Sequence, residues 1–286
     1  MATYYNNFSG ETVGQAPSGI SSYWTTTGSL KTLAEDGVSG SKIVQEEANL
    51  SNLTKYYAIN SLADTYEDVE ILVKIKADKY ALSNNLSQYE SFLCVVARGN
   101  NTTSYTNKTG YAVILGHNES VNKGQIRLIK YLNSNTAIQI GSTYNLTDNG
   151  LTWGLGKWCY IRFYVNGTDL KVKAWGFADT EPASWQIEET DSSIVDPGYL
   201  GWGWMARGSN QYVKHRIDYI NVVTDGGASP SISGDEGTSS IYVVKSNIDY
   251  LVKDASTLTL QMHKSNVNVL AKVLSGNKPA PTIIIL

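Results

Sequence analysis

A long apolar run, a cysteine framework and helical periodicity are all missing from this sequence of 286 residues. The opening Met1-Ala2-Thr3-Tyr4-Tyr5 has no basic segment followed by an apolar stretch, so no secretory signal is expected. No apolar run approaches the roughly 20 residues that span a bilayer, and Ile283-Ile284-Ile285-Leu286 reads as a terminal strand. Two cysteines, Cys94 and Cys159, sit in separate strand-like runs. They could bridge, but without an export route two buried free thiols are expected. Only 17% of residues are charged and the net charge is −3, which removes any global attraction to nucleic acid or an anionic membrane. His117, His215 and His263 are scattered, and no His/Cys/Asp group has ligand spacing.

What is present suits a β-protein. Tyr (19) and Gly (25) are abundant, and Ser, Thr and Asn are plentiful: side chains that fit a pleated surface and residues that turn a chain. Period-two alternation dominates, as in Val69, Ile71, Val73 and Ile75 against Glu70, Lys74 and Lys76. Further strands are expected at 43–46, 56–60, 91–97, 110–116, 125–131, 136–140, 158–165, 169–175, 199–205 and 215–223. Turn signals such as Gly99-Asn100-Asn101 and Asp148-Asn149-Gly150 separate them. Asn166-Gly167 carries a type I′ hairpin signal. Pairing Val165 with Thr168 puts Phe163 opposite Leu170 and Ile161 opposite Val172 on an apolar face. Tyr160, Arg162 and Tyr164 then oppose Lys173, Lys171 and Asp169 on a face expected to meet solvent. Composition changes near Asp225-Gly226-Gly227. The expected organisation is one domain over 1–225, a linker over 226–239 and a small β-rich domain over 240–286 that serves attachment or oligomerisation.

The run from Gly156 to Trp175, GKWCYIRFYVNGTDLKVKAW, resembles the concanavalin A-like lectin/glucanase superfamily in its laminin G-like form, as found in bacteriophage virion and bacterial surface proteins. Glu181-Pro182-Ala183-Ser184-Trp185, then Asp191, then Gly198-Tyr199-Leu200-Gly201 continue the likeness. Phe8 to Gly19 looks like the first strand and turn of such a domain, and His215 to Val223 like the last strand, which returns beside the first. The resemblance spans about residues 4–224 and implies an all-β, concanavalin A-like jelly-roll sandwich. It is weak for function, because this fold hosts lectins, glycosidases and structural modules.

The resemblance implies that a glycosidase would carry its carboxylates on one strand as Glu-x-Asp-x-(x)-Glu, some 5–9 Å apart across the sugar. Asp64 to Glu70 and Glu188 to Asp191 lack that spacing, and Glu70 reads as part of a solvated strand face. Some domains of this fold hold calcium, for which Asp148, Asp191 and Asp218 are the candidates; turn and strand-edge roles compete for each. Aromatic rings remain, since sugars stack their C–H faces on them. Trp202 and Trp204 share one strand face across Gly203, with Arg207 and Tyr212 nearby. Either they pack inside the sandwich or they form a stacking platform. Arg162, Tyr164 and Trp175 on the outer hairpin face complete the candidate carbohydrate-binding set.

These readings combine into an expectation. The chain is a non-enzymatic phage virion component, made in the host cytoplasm and displayed on the particle, with a lectin-like domain that recognises host-surface polysaccharide. Its C-terminal domain would contact other virion proteins, and a homo-oligomer is expected. The alternatives are a polysaccharide depolymerase using Glu188 or Glu70, and a spacer module that binds no sugar.

Overall fold

The structure is a computed structural model that describes residues 3–24, 30–34, 42–50, 54–59, 65–80, 91–104, 106–118, 123–150, 156–206 and 211–224. All belong to one compact unit. The linker over 226–239 and the domain over 240–286 lie outside the described residues, as does Arg207.

The strands are β1 (Thr3–Asn6), β2 (Ile20–Tyr23), β3 (Leu30–Leu33), β4 (Ile43–Leu50), β5 (Thr54–Ile59), β6 (Val69–Tyr80), β7 (Ser91–Gly99) and β8 (Lys108–Asn118). They continue with β9 (Lys123–Ser134), β10 (Ile138–Asn145), β11 (Cys159–Asn166), β12 (Asp169–Gly176), β13 (Ile187–Thr190), β14 (Tyr199–Ala206) and β15 (Gln211–Thr224). One sheet runs β13-β12-β11-β6-β15-β4-β3, with β1 also on β15; the other runs β10-β9-β8-β7-β14-β5-β2. All pairings are antiparallel, and the two sheets enclose one core: a jelly-roll β-sandwich. The expected return of the last strand beside the first holds, with Thr3 opposite Val223. The first strand, however, is Thr3–Asn6, and Phe8 to Gly19 is a run of turns. β2, β3 and β13 escape the alternation because each is only four residues long.

The core is built by parity. Val69, Ile71, Val73 and Ile75 of β6 and Ile161, Phe163 and Val165 of β11 point between the sheets, meeting Leu93, Val95, Val113 and Leu128. Each such side chain, taken fully from water, contributes about 1.5–3 kcal/mol. β7 and β8 are apolar on both faces, the pattern of strands covered on both sides. Gly201 of β14 has a specific steric reason: a Cβ there would lie 1.8 Å from the Tyr57 carbonyl oxygen.

The hairpin pairs Phe163 with Val172 and Val165 with Leu170, two residues away from the expected register; the faces are kept because the shift is even. Asn166 pairs with Asp169, so the turn centres on Gly167-Thr168, and only Gly167 takes a left-handed φ, 53°. Distant residues hold it: the Gly167 amide donates to Asp68 Oδ1 at 2.8 Å, and its carbonyl accepts from Arg98 Nη2 at 2.8 Å. Arg98 also donates to the carbonyls of Glu67 (2.8 Å) and Ile194 (2.6 Å), tying three loops to the end of β7.

The outer face of the hairpin is not the solvated surface expected. Residues 177–186 fold over it. Glu181 stands 2.9 Å from Nε and Nη2 of Arg162, whose Nη1 meets Glu70 at 2.6 Å. Lys173 reaches Glu181 and the Trp185 ring, and Gln186 hydrogen-bonds both backbone groups of Ala174 as another strand residue would.

Candidate functional site

Trp202 and Trp204 are 0% exposed. Both point into the sandwich, so the stacking-platform alternative fails. Trp202 packs against Phe8 and Tyr57, with ring centroids 6.0 and 6.1 Å away. The Trp204 indole N–H donates to Glu46 Oε2 at 2.5 Å, reaching from β14 to β4 in the opposite sheet. Gly203, the one residue between them, is on the opposite, outward side of the strand. Trp175 is buried and stacks on Tyr160 at 5.1 Å, and Arg162 is engaged by Glu70 and Glu181. Burial removes the open faces that sugar binding at these two positions requires. Tyr164, half-buried, lies beside Trp185 at 6.0 Å. Of Tyr212 only the backbone, in β15, is described.

Aromatic side chains collect elsewhere, on the outward face of the seven-stranded sheet. Trp24, Tyr56 and Tyr131 form a buried cluster there with Ala58, Cys94, Val96, Ala112, Ile114 and Ile129. The small residues of that group let rings lie close to the sheet. Trp24 meets Tyr56 and Tyr131 edge-on, at 4.7 and 5.0 Å. Its indole N–H donates to Asn100 Oδ1 at 2.8 Å, and its amide to the Thr102 carbonyl at 2.7 Å. These bonds hold Trp24 at a left-handed φ of 67°, a strained setting for a bulky residue. Tyr23 and Tyr199, both half-buried, form the rim; their rings are 5.5 Å apart, and Tyr23 lies 5.6 Å from Tyr56. No sequence spacing announces this group, since β2, β5, β9 and β14 each supply one of its rings and Trp24 follows the end of β2.

Lys108 joins the cluster from the start of β8. It is 2% exposed, with Nζ 5.0 Å from the Tyr131 ring centroid. Burial lowers its ammonium from the ordinary 10.5 to about 8. Among the described residues no carboxylate pairs with it; the nearby ionisable group is the Cys94 thiol, which burial pushes up despite the positive charge of Lys108. Cys94 and Cys159 are buried thiols that are not joined in a disulfide.

Metal and acid–base chemistry find less support. Asp191 receives Lys130 Nζ, the Tyr111 hydroxyl (2.8 Å) and Ser193, and Asp218 pairs with Lys74 at 2.9 Å. A lysine ammonium stands where calcium would have to sit, so these aspartates do not fit the ion. Asp148 is on the exposed 3₁₀ turn Thr147–Asn149. No three His, Cys, Asp or Glu side chains come together among the described residues. Glu188 and Glu70 occupy one row of the sheet, through Lys171 and Tyr164. Three strand spacings put their backbones about 14 Å apart, beyond a glycosidase pair. Contrary to expectation, Glu70 is buried, paired with Arg162.

No protein-family model matches the chain, and a comparison with curated proteins finds no relative. Solved structures similar to it include a legume lectin-like domain from Entamoeba histolytica, at 13% identity over 70% of this chain and 91% of that one, with a TM-score of 0.42. The carbohydrate-binding module CBM66 from Bacillus subtilis gives 13% identity, 69% and 98% coverage and a TM-score of 0.40. Domain 4 of the arabinanase AbnA from Geobacillus stearothermophilus, in complex with arabinotriose, gives 10%, 77%, 90% and 0.40. The likeness is one of β-sandwich architecture alone.

Proposed function

We propose that residues 3–224 form a non-enzymatic carbohydrate-binding domain whose ligand lies on the outward face of the seven-stranded sheet, at the Tyr23–Tyr199 rim. The observation that carries this reading is the rim itself: two half-buried tyrosine rings 5.5 Å apart, backed by Tyr56. Such rings stack on sugar C–H faces while their hydroxyls exchange hydrogen bonds with the sugar. In this reading the domain is displayed on a bacteriophage virion and recognises host-surface polysaccharide, while 240–286 attaches it to other virion proteins as a homo-oligomer. The likeness of residues 156–204 to modules of such proteins supports that part.

The test is a glycan array followed by calorimetry. A glycan bound by the wild type is expected to lose about tenfold or more in affinity in Tyr23→Ala and Tyr199→Ala, while Tyr164→Ala, on the other sheet, binds normally. Absence of any bound glycan, or unchanged affinity in both rim variants, rejects the reading. Failure to find the protein in purified particles by mass spectrometry rejects the virion assignment.

A further inference from the structure

The dipeptide Asn-Gly occurs twice in the chain, at Asn149-Gly150 and at Asn166-Gly167. In this pair a main-chain amide attacks a side-chain amide with the least hindrance, because glycine carries no side chain to block the approach and allows a wide range of backbone angles. Both asparagines are exposed, and both glycines take a left-handed φ, 73° and 53°. The two sites differ in what holds the attacking nitrogen.

At Gly167 the amide is held by a charge. It donates to Asp68 Oδ1 at 2.8 Å, and the same oxygen lies 3.7 Å from Arg98 Nη2, which also donates to the Gly167 carbonyl at 2.8 Å. Asn166 itself belongs to the β11–β12 ladder, opposite Asp169, next to the buried pair Val165 and Leu170. Freeing this amide breaks a charge-assisted bond, roughly twice as strong as a neutral one, and opens the end of the hairpin.

Among the described residues no charged side chain holds the Gly150 amide. Residues 148–150 are all exposed and close a single 3₁₀ turn, Thr147–Asn149, of a kind whose bonds have poor geometry and fray easily. The Asn149 amide donates to the Leu146 carbonyl at 3.0 Å, and its side-chain nitrogen to the Asn145 carbonyl at 2.8 Å. The second contact assists the reaction. That nitrogen gains positive charge as it departs, and a carbonyl oxygen beside it stabilises the charge.

We propose that Asn149 is a site of spontaneous intramolecular modification, and that Asp68 and Arg98 protect Asn166 from the same reaction. The Gly150 amide nitrogen gives up its proton and bonds to Cγ of Asn149; the Cγ–Nδ2 bond breaks, and the nitrogen leaves with that proton as ammonia. The succinimide ring that remains takes up one water. Opening at one carbonyl leaves an aspartate at position 149; opening at the other leaves an isoaspartate, whose main chain runs through the former side chain. Either product puts a new negative charge on the turn after Leu146, a core residue whose amide donates to the Gly124 carbonyl at 2.8 Å.

The experiment is incubation of the full chain at pH 8, folded and in denaturing guanidinium chloride, followed by peptide mapping with mass spectrometry and isoaspartate detection. In guanidinium the two asparagines are expected to convert at similar rates, since neither turn is formed. In the folded chain Asn149 is expected to convert about tenfold or more faster than Asn166, because one turn opens locally and the other only with its hairpin. Asp68→Ala should raise the Asn166 rate in the folded chain and leave the Asn149 rate unchanged. Folded-chain rates that are equal, or faster at Asn166, overturn the proposal, as does an Asn149 that converts only in guanidinium. An Asn166 rate unmoved by Asp68→Ala overturns the protecting role of Asp68. The wild-type comparison decides the matter at Asn149 even if that variant folds poorly.

Discussion

Trp204 donates its indole N–H to the carboxylate of Glu46 across the inside of the sandwich, at 2.5 Å. His215, opposite Glu46 on the neighbouring strand, places Nε2 3.9 Å from the same oxygen. Replacing Trp204 by Phe keeps most of the volume and deletes the donor to a buried carboxylate. A loss of about 2–3 kcal/mol is expected, measured by urea unfolding. A change below about 0.5 kcal/mol would show that the Glu46 carboxylate does not depend on the indole.

Arg98 is the second internal tie. Arg98→Met retains an unbranched stem but leaves the carbonyls of Glu67, Gly167 and Ile194 without their guanidinium donor. The expected cost is about 3–5 kcal/mol. Amide exchange should rise in the 166–168 turn well before it rises in β6 or β11.

Asp191 sets an acid limit. Burial raises its carboxyl, but hydrogen bonds from Lys130, Ser193 and Tyr111 outweigh that and hold it at about 2, below the ordinary 3.8. A depressed carboxylate stabilises the fold above its unfolded value, and that contribution is lost as pH falls from about 4 through 2. Asp191→Asn should cost about 1–2 kcal/mol at pH 7 and close to nothing at pH 2, which thermal unfolding across that range would reveal. An equal cost at both pH values would contradict the linkage.

Lys108 works in the opposite sense. Its folded value, about 8, lies below the ordinary 10.5, so between these the unfolded chain binds more protons and stability rises with pH. Without ligand, Lys108→Met is expected to be more stable than the wild type by about 2–3 kcal/mol at pH 7. The margin should narrow above pH 8. A variant less stable than the wild type at pH 7 would mean that Lys108 is charge-compensated in the folded state.

Much of the fold was legible in the sequence, because alternation reports which residues face the core: β6, β11 and β12 carry it plainly. The hairpin register was not, since Asp68 and Arg98, far away in the chain, fix Gly167. Trp202 and Trp204 were ambiguous for a related reason. Alternation separates two faces but does not say which is inward when both faces of a sheet are covered. The aromatic cluster was invisible to spacing, because strand order and not chain order brings Tyr23, Tyr56, Tyr131 and Tyr199 to one face. Lys108 gave no signal of its own, and a lysine at the start of a strand reads as solvent-exposed until the rings around it are placed.

The pairing of Thr3 with Val223 has a mechanical consequence. Where the chain enters the domain at β1 and leaves it at the end of β15, the two strands lie side by side and antiparallel. A force pulling residues 3 and 224 apart therefore loads the β1–β15 ladder from its open end, one hydrogen-bonded pair after another, and does not shear all the pairs together. Under tension applied through both ends, β1 peels away first. The β15–β6 ladder is loaded from the same end, at Thr224 opposite Val69, but is much the longer of the two.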